Sequence, residues 1–186
     1  ARTQASYARV DLGVACFDGA ILNHGATILA ADGMEDSQWR AQIDAPLSAL
    51  SAALLAIKQA IECYAEQQAL DILVRITTES SLDYYVEVRH HSADAFALQG
   101  LLQDYIQPLL LDYNDFHVYL NNNSLTILPH CVNKSHAVEY RIKALEQEYG
   151  EIVTMGMGDS LSDAPFMALC DYVMTPKHTQ LHGCLV

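Results

Sequence analysis

The sequence predicts an α/β fold, because helix-like and strand-like patterns alternate along most of its 186 residues. The clearest helix signal lies in residues 45–70, where apolar residues recur at three- and four-residue steps. The clearest strand signals are the β-branched and aromatic runs at residues 71–77 and 82–88. In residues 135–174, a helix, a strand, an acidic loop, a helix and a strand predict a βαβ unit.

The remaining elements rest on shorter signals. Two apolar runs in residues 14–29 surround the turn signal Asn23-His24-Gly25-Ala26. A helix expected at residues 93–111 is interrupted near Pro108, which cannot donate a backbone hydrogen bond. The other expected elements are a helix at 1–9, a hairpin of strands 116–120 and 124–128, a helix at 135–149 ended by Gly150, a buried parallel strand at 151–157, a short helix at 164–169 and a strand at 171–174.

The composition is that of a folded protein with a buried core, since 51% of residues are hydrophobic and 18% are charged. A net charge of -13 argues against nucleic acid as a partner. The longest apolar stretches look too short to span a bilayer, and no secretory signal is visible, so we expect a cytoplasmic protein without a membrane partner. The scattered cysteines are expected to be free thiols; they are Cys16, Cys63, Cys131, Cys170 and Cys184.

One candidate site is the acidic loop Gly158-Asp159-Ser160-Leu161-Ser162-Asp163. Because it follows an expected strand, Asp159 and Asp163 are placed to converge at the carboxyl edge of the sheet, where open α/β sheets bind ligands. Two carboxylates suit Mg²⁺, which binds one or two of them together with water and phosphate oxygens. The structural alternative is that Asp163 or Ser162 caps the following helix and Asp159 is a turn residue.

A second candidate is Lys134, which opens the helix expected at residues 135–149. A cation is unfavourable at the positive end of a helix dipole. We therefore expect an anionic group beside Lys134, either a bound phosphate or a carboxylate. The alternative is a solvated lysine just before a helix.

Together, a helix-opening lysine, one strand and Gly-Asp-x-x-x-Asp resemble the third and fourth motifs of the haloacid dehalogenase (HAD) superfamily of phosphatases. The resemblance is greatest to the branch with a large inserted cap, which includes Cof-type, sucrose-phosphatase-like and mannosyl-3-phosphoglycerate-phosphatase-like enzymes. The runs that carry it are Asn133-Lys134-Ser135-His136-Ala137-Val138, with Ser135 where glycine is usual, and Gly158-Asp159-Ser160-Leu161-Ser162-Asp163-Ala164-Pro165-Phe166-Met167. Ala1-Arg2-Thr3 and Asn23-His24-Gly25-Ala26-Thr27-Ile28 resemble the family's second motif and the turn that precedes its cap.

The resemblance implies hydrolysis of a phosphate monoester through an aspartyl-phosphate, with Mg²⁺ as the cofactor. It implies that Asp159 is a catalytic metal ligand, that Asp163 is a second ligand or orients a metal-bound water, and that Lys134 is a catalytic cation. The residues to which it gives substrate-binding or supporting roles are Arg2, Asn23, Gly25, Asn133 and Ser160.

The resemblance also implies a division into two parts. Residues 1–33 and 129–186 would form an incomplete Rossmann-like core, and residues 34–128 an inserted cap that selects the substrate and moves as a lid. The expected substrate is a small phosphorylated metabolite, in the first instance a sugar phosphate. The sequence leaves open whether the protein forms a homo-oligomer.

The family's first motif, Asp-x-Asp, supplies the nucleophile and the general acid and occurs nowhere in this sequence. We therefore expect the nucleophile to lie outside these 186 residues, the chain to be inactive alone, and the strands beside the missing first strand to expose apolar faces. One alternative is a catalytically inactive homologue or fragment that binds a phosphorylated ligand or a protein partner. Another is a metal-binding α/β module without phosphate chemistry.

Overall fold

The computed structural model describes residues 3–10, 17–121 and 124–184. The architecture is mixed α/β, as the sequence predicts. The chain forms two compact units, the first made of Ala1–Ala41 and Val132–Val186 and the second of Gln42–Cys131. The first boundary falls inside a long helix, which begins in the first unit and continues into the second.

The first unit opens with a short helix and a two-stranded antiparallel hairpin. Helix α1 spans Gln4–Tyr7, and strands β1 (Gly19–Leu22) and β2 (Thr27–Ala30) pair through the turn Asn23–Gly25. The three turn residues have φ values of 51°, 57° and 101°. Asparagine and glycine tolerate this left-handed backbone better than other residues, which explains why the turn signal was recognisable in the sequence.

The second unit is a four-stranded antiparallel sheet with helices packed against it. Its strand order is β3-β4-β6-β5. The elements are α2 (Ser37–Gln68), β3 (Ile72–Glu79), β4 (Leu82–His90), α3 (Ala95–Leu101), a π-helical turn (Leu102–Ile106), α4 (Gln107–Leu110), β5 (Phe116–Asn121) and β6 (Ser124–Pro129).

Helix α2 is longer than the sequence predicts, and by length and composition alone it could cross a membrane. In the fold, however, its apolar stripe is the centre of the second unit's core. Leu54, Ile57 and Ile61 are fully buried and belong to one cluster with residues of β3, β4, α3 and β6. Such a stripe is typical of a core helix packed on a sheet.

The irregularity expected near Pro108 lies just before it, as the π-helical turn Leu102–Ile106. Pro108 lacks a backbone N–H, and its ring would clash with the carbonyl four residues earlier, at Asp104. A wider turn relieves that clash without ending the helical stretch, which runs on through α4.

The remainder of the first unit contains the expected βαβ unit. It is built from α5 (Lys134–Tyr149), β7 (Met155–Met157), α6 (Ala164–Met167) and β8 (Tyr172–Met174). Gly150, with φ of 81°, follows the end of α5. Strands β7 and β8 are parallel, with Met155 beside Tyr172 and Met157 beside Met174.

The prediction of a buried strand over residues 151–157 is wrong in extent and in burial. Only Met155–Met157 form the strand, and the Met155 and Met157 side chains are 63% and 60% exposed. Parallel sheets normally have both faces covered. Within the part of the chain that the structure describes, this sheet has two strands, and Gly156 between the two methionines packs against Met167 and Cys170.

Candidate functional site

The site begins at the N-terminus of α5. Asn133 caps this helix, because its side-chain oxygen accepts hydrogen bonds from the backbone N–H of Ser135 (2.9 Å) and from Ser135 Oγ (2.6 Å). Lys134 is therefore the first residue of the helix. Asn133 thus acts as a cap that fixes the backbone next to Lys134, which is a supporting position.

The turn Asn23–Gly25 lies against this helix start. A Cβ atom on Gly25 would lie 2.3 Å from the carbonyl oxygen of Asn133 and 3.1 Å from the backbone nitrogen of Lys134. Only glycine fits there, so the turn and the helix start are packed backbone to backbone. Asn23 is fully buried, and its Nδ2 donates to Thr27 Oγ1 at 3.2 Å. Arg2 lies outside the residues that the structure describes.

The acidic loop follows the carboxyl end of β7. A Cβ atom on Gly158 would lie 2.5 Å from Asp163 Cβ and 2.6 Å from Met167 Sδ. The glycine therefore makes room for the side chains of Asp163 and Met167. The turn Leu161–Asp163 then begins α6 and holds Asp163 close to the end of β7.

The backbone of Asp159 is held on both sides. Its N–H donates to Asp163 Oδ2 at 3.2 Å, and its carbonyl accepts from the backbone N–H of Leu181 at 3.0 Å. Gln180 Oε1 accepts from the backbone N–H of Leu161 at 3.1 Å. The segment after β8 thus folds back onto the acidic loop, and nothing in the sequence pattern indicated this contact.

Asp163 is bound through both carboxylate oxygens. Oδ1 lies 2.7 Å from Lys134 Nζ, and Oδ2 accepts from the backbone N–H of Ser160 at 3.1 Å and from Ser160 Oγ at 2.8 Å. The Ser160 and Asp163 contacts form a capping box in which Ser160 is the N-cap residue and Asp163 the third residue of the turn, so the cap is Ser160 and not Ser162 or Asp163. Lys134 therefore has an anionic neighbour.

The pKa of Asp163 reflects these contacts. Burial by itself raises the pKa of this carboxyl, but the Lys134 ammonium and the Ser160 donors outweigh burial and hold the pKa well below its usual range. Asp163 is consequently a carboxylate at neutral pH, and it can only accept hydrogen bonds.

Two serine hydroxyls complete a closed ring of hydrogen bonds. Lys134 Nζ donates to Ser162 Oγ at 2.9 Å, and Ser162 Oγ lies 2.8 Å from Ser160 Oγ. An ammonium has no acceptor and a carboxylate has no donor. The single Ser160 proton therefore goes to Asp163, and the Ser162 proton goes to Ser160. The sequence pattern indicated Ser162 only as a helix cap, and the signal for its contact with Lys134 was its position within the acidic loop.

Asp159 differs from Asp163 because its carboxylate is available to bind a ligand. The residue is exposed, and no donor from the described residues 3–10, 17–121 and 124–184 binds its side-chain oxygens. In the same set of residues no three His, Cys, Asp or Glu side chains are close enough to hold a metal ion by themselves. The donor set fits Mg²⁺, which commonly uses one or two carboxylates and takes its other ligands from water and phosphate.

Two tyrosines of the second unit lie in strand β4, and a histidine follows the end of that strand. Tyr84 and Tyr85 are buried in the sheet. His91 Nδ1 lies 2.7 Å from Asp71 Oδ1 at an exposed strand end. Cys63, Cys170 and Cys184 are free thiols, Cys131 is half-buried, and Cys16 lies outside the residues that the structure describes.

Comparisons with known proteins identify the fold. No protein-family model matches the sequence, and no curated protein sequence matches it. Among solved structures, the chain is similar to a sucrose-phosphatase from Synechocystis sp. PCC6803 in complex with sucrose and phosphate, with a TM-score of 0.56 and 16% identity over 90% of this chain and 71% of that one. It is also similar to a trehalose-6-phosphate phosphatase related protein, with a TM-score of 0.53 and 16% identity over 96% and 69%. The chain therefore shares the α/β fold of these two proteins.

Proposed function

We propose that this chain is part of a Mg²⁺-dependent phosphatase of the HAD superfamily, the part that contains the catalytic lysine and the metal-binding aspartate. The observation that carries the proposal is the contact of Lys134 with Asp163, 2.7 Å apart, beside the free carboxylate of Asp159. At the end of a parallel strand, a lysine can bind a phosphate group and an exposed carboxylate can bind the metal ion that accompanies it. The fold shared with a sucrose-phosphatase and with a trehalose-6-phosphate phosphatase related protein supports the same reaction class.

The residues have separate roles in this proposal. Asp159 would hold Mg²⁺, which supplies charge neutralisation at the phosphoryl oxygens. Asp163 already accepts four hydrogen bonds, so we assign it to orienting Lys134 and a metal-bound water rather than to direct ligation. Lys134 uses one N–H on Asp163 and one on Ser162. Its third N–H has no acceptor among the described residues, and we assign it to stabilising a phosphoryl oxygen.

The substrate we propose is the phosphate monoester of a small metabolite, with a sugar phosphate first. The sucrose in the related Synechocystis structure supports this choice. We propose the second unit, Gln42–Cys131, as the cap that selects the substrate, because it is a self-contained insert between the two segments of the first unit. Such an enzyme would act in the cytoplasm.

The nucleophile is not among these residues. Because the sequence has no Asp-x-Asp, we propose that an aspartate outside the 186 residues forms the aspartyl-phosphate. The second candidate function, a catalytically inactive protein that binds a phosphorylated ligand or a protein partner, is favoured by the same lack of Asp-x-Asp. Turnover by the full gene product separates the two functions.

The test is hydrolysis of p-nitrophenyl phosphate and of sugar phosphates by the full gene product, with and without Mg²⁺. We expect turnover that requires Mg²⁺ and that Asp159→Ala abolishes, while the 186 residues alone give none. Glu151→Gln, at an exposed position of the same unit, is the control and should retain activity. Full activity of the Asp159→Ala variant would refute the assignment.

Metal binding has a readout that does not need turnover. Mn²⁺ added to the 186-residue chain should broaden the amide resonances of Gly158 and Asp159, and Asp159→Ala should remove this broadening. If Mn²⁺ broadens other regions equally, the acidic loop is not a selective cation site.

A further inference from the structure

We infer that Ser162 is a positioning residue, which fixes the direction of the Lys134 ammonium in the site proposed above. The expected effect of Ser162 on turnover rests on the proposed function. The expected effect of Ser162 on the mobility of Lys134 depends only on side-chain contacts within this chain. Neither the resemblance nor the fold comparison assigns a role to this hydroxyl.

The Lys134 ammonium has two hydrogen-bond acceptors, Asp163 and Ser162. An ion pair with Asp163 alone leaves the ammonium free to rotate about its long side chain, because a point charge has little directional preference. The second acceptor, Ser162 Oγ at 2.9 Å, fixes two of the three N–H directions. The direction of the third N–H then follows from the tetrahedral nitrogen.

The Ser162 side chain is itself held in place by its surroundings. The residue is buried, with 7% of its surface exposed, and it belongs to the turn Leu161–Asp163. Its hydroxyl accepts from Lys134 and, by the proton arrangement of the ring, donates to Ser160 Oγ at 2.8 Å. Because both partners have defined roles, the hydroxyl cannot turn away without leaving a buried polar group unpaired.

A lysine beside a serine can also act as a base that activates the serine as a nucleophile. A serine nucleophile needs a base that takes its proton. Here Lys134 donates to Ser162, and the Ser162 proton already belongs to Ser160. The ring therefore makes Ser162 a support for the lysine and leaves the serine without a base.

The geometric test is the mobility of the Lys134 side chain, measured by ¹³Cε relaxation in the lysine-labelled full gene product. The four lysines of the 186 residues, at positions 58, 134, 143 and 177, can be assigned by single Lys→Arg variants. We expect Lys134 to be rigid in the wild type, mobile in Ser162→Ala and rigid again in Ser162→Thr, with exposed Lys177 as the mobile reference. An equally rigid Lys134 in Ser162→Ala would overturn the inference, whether or not the protein is a phosphatase.

The kinetic test is a double-mutant cycle on phosphatase activity. We expect Ser162→Ala to lower kcat on the order of tenfold with little change in KM, since a charge-assisted hydrogen bond is lost. In the Lys134→Ala background, the same substitution should have no further effect, because the group it positions is gone. Additive losses would show a general structural role. Thr154→Val is the control for the loss of a hydroxyl. Thr154 precedes β7 and donates its hydroxyl to Asp171, and the variant should keep kcat.

Discussion

Lys134 Nζ lies 2.7 Å from Asp163 Oδ1, although 29 positions separate the two residues in the sequence. Only 17% of the lysine side chain and 13% of the aspartate side chain are exposed. Burial strengthens the attraction between the charges and makes the loss of either partner costly. This pair therefore connects the start of α5 with the turn that begins α6.

Substituting the acid of this pair should lower stability. We expect Asp163→Asn to reduce the free energy of unfolding by about 2 kcal/mol or more, because Lys134 keeps its charge in a largely buried position without its partner. Urea denaturation at pH 7 measures the change. The matched control is Glu139→Gln, which breaks the exposed pair of Glu139 with Lys143 and should cost less than about 0.5 kcal/mol. Equal losses in the two variants would show that burial of the pair has no consequence.

Gly25 should tolerate no side chain. Gly25→Ala combines a φ of 101° with a Cβ 2.3 Å from the Asn133 carbonyl oxygen, so we expect a loss of at least about 2 kcal/mol. Gly33→Ala has a φ of 80° and open space around the Cβ, and should lose about 1 kcal/mol. Gly183→Ala has neither problem and should be nearly neutral. Thermal or urea unfolding of the three variants separates backbone strain from the clash.

His117 should make the protein sensitive to acid. Both of its ring nitrogens are buried and have no hydrogen-bond partner in the described part of the chain. Burial, together with the stacked His130, lowers the pKa of His117 from 6.5 to about 4. The unfolded chain therefore binds a proton that the folded chain excludes between these values, and the contribution of His117 to stability is lost as pH falls from 6.5 towards 4.

Unfolding by urea at pH 7 and pH 4.5 checks this dependence. His117→Phe keeps an aromatic ring at this position and removes the titrating group, so its stability should fall less between the two pH values than that of the wild type. We expect a difference on the order of 1 kcal/mol, because His117 is only partly shielded from water. His178→Gln, at an exposed position, is the control and should keep the wild-type dependence. The same acid sensitivity in His117→Phe would assign the effect to another group.

The exposed apolar face of the β7–β8 sheet should bind a hydrophobic dye. Met155, Met157 and Tyr172 are at least 60% exposed and lie next to one another in the parallel register. The 186-residue chain should therefore raise the fluorescence of anilinonaphthalene sulfonate, and the double variant Met155→Gln, Met157→Gln should lower that signal. Phe96→Gln is the control, because Phe96 is 90% exposed on another unit. A larger effect of Phe96→Gln would locate the dye elsewhere.

Local sequence signals were sufficient for most elements of the fold. Apolar spacing predicted α2 and α5, and β-branched runs predicted β3 and β4, because these patterns depend only on which face of an element is buried. The length of α2 and the end of β7 were less predictable. In α2 the helix begins eight residues before the periodic stretch, at Ser37 instead of Ala45. In β7 an apolar run did not correspond to burial, since burial depends on what covers the sheet.

The sequence by itself determined the α/β class, the turn at Asn23–Gly25 and the residue types at the candidate site, since φ preferences and hydrophobic periods are properties of neighbouring residues. Only the tertiary structure decided which groups meet. It paired Lys134 with Asp163, placed Ser162 Oγ 2.9 Å from Lys134 Nζ as a second acceptor, and left the Asp159 carboxylate without a donor from the described residues. The physical reason is that hydrogen bonds and ion pairs depend on distances of about 3 Å, which chain folding sets and sequence separation does not.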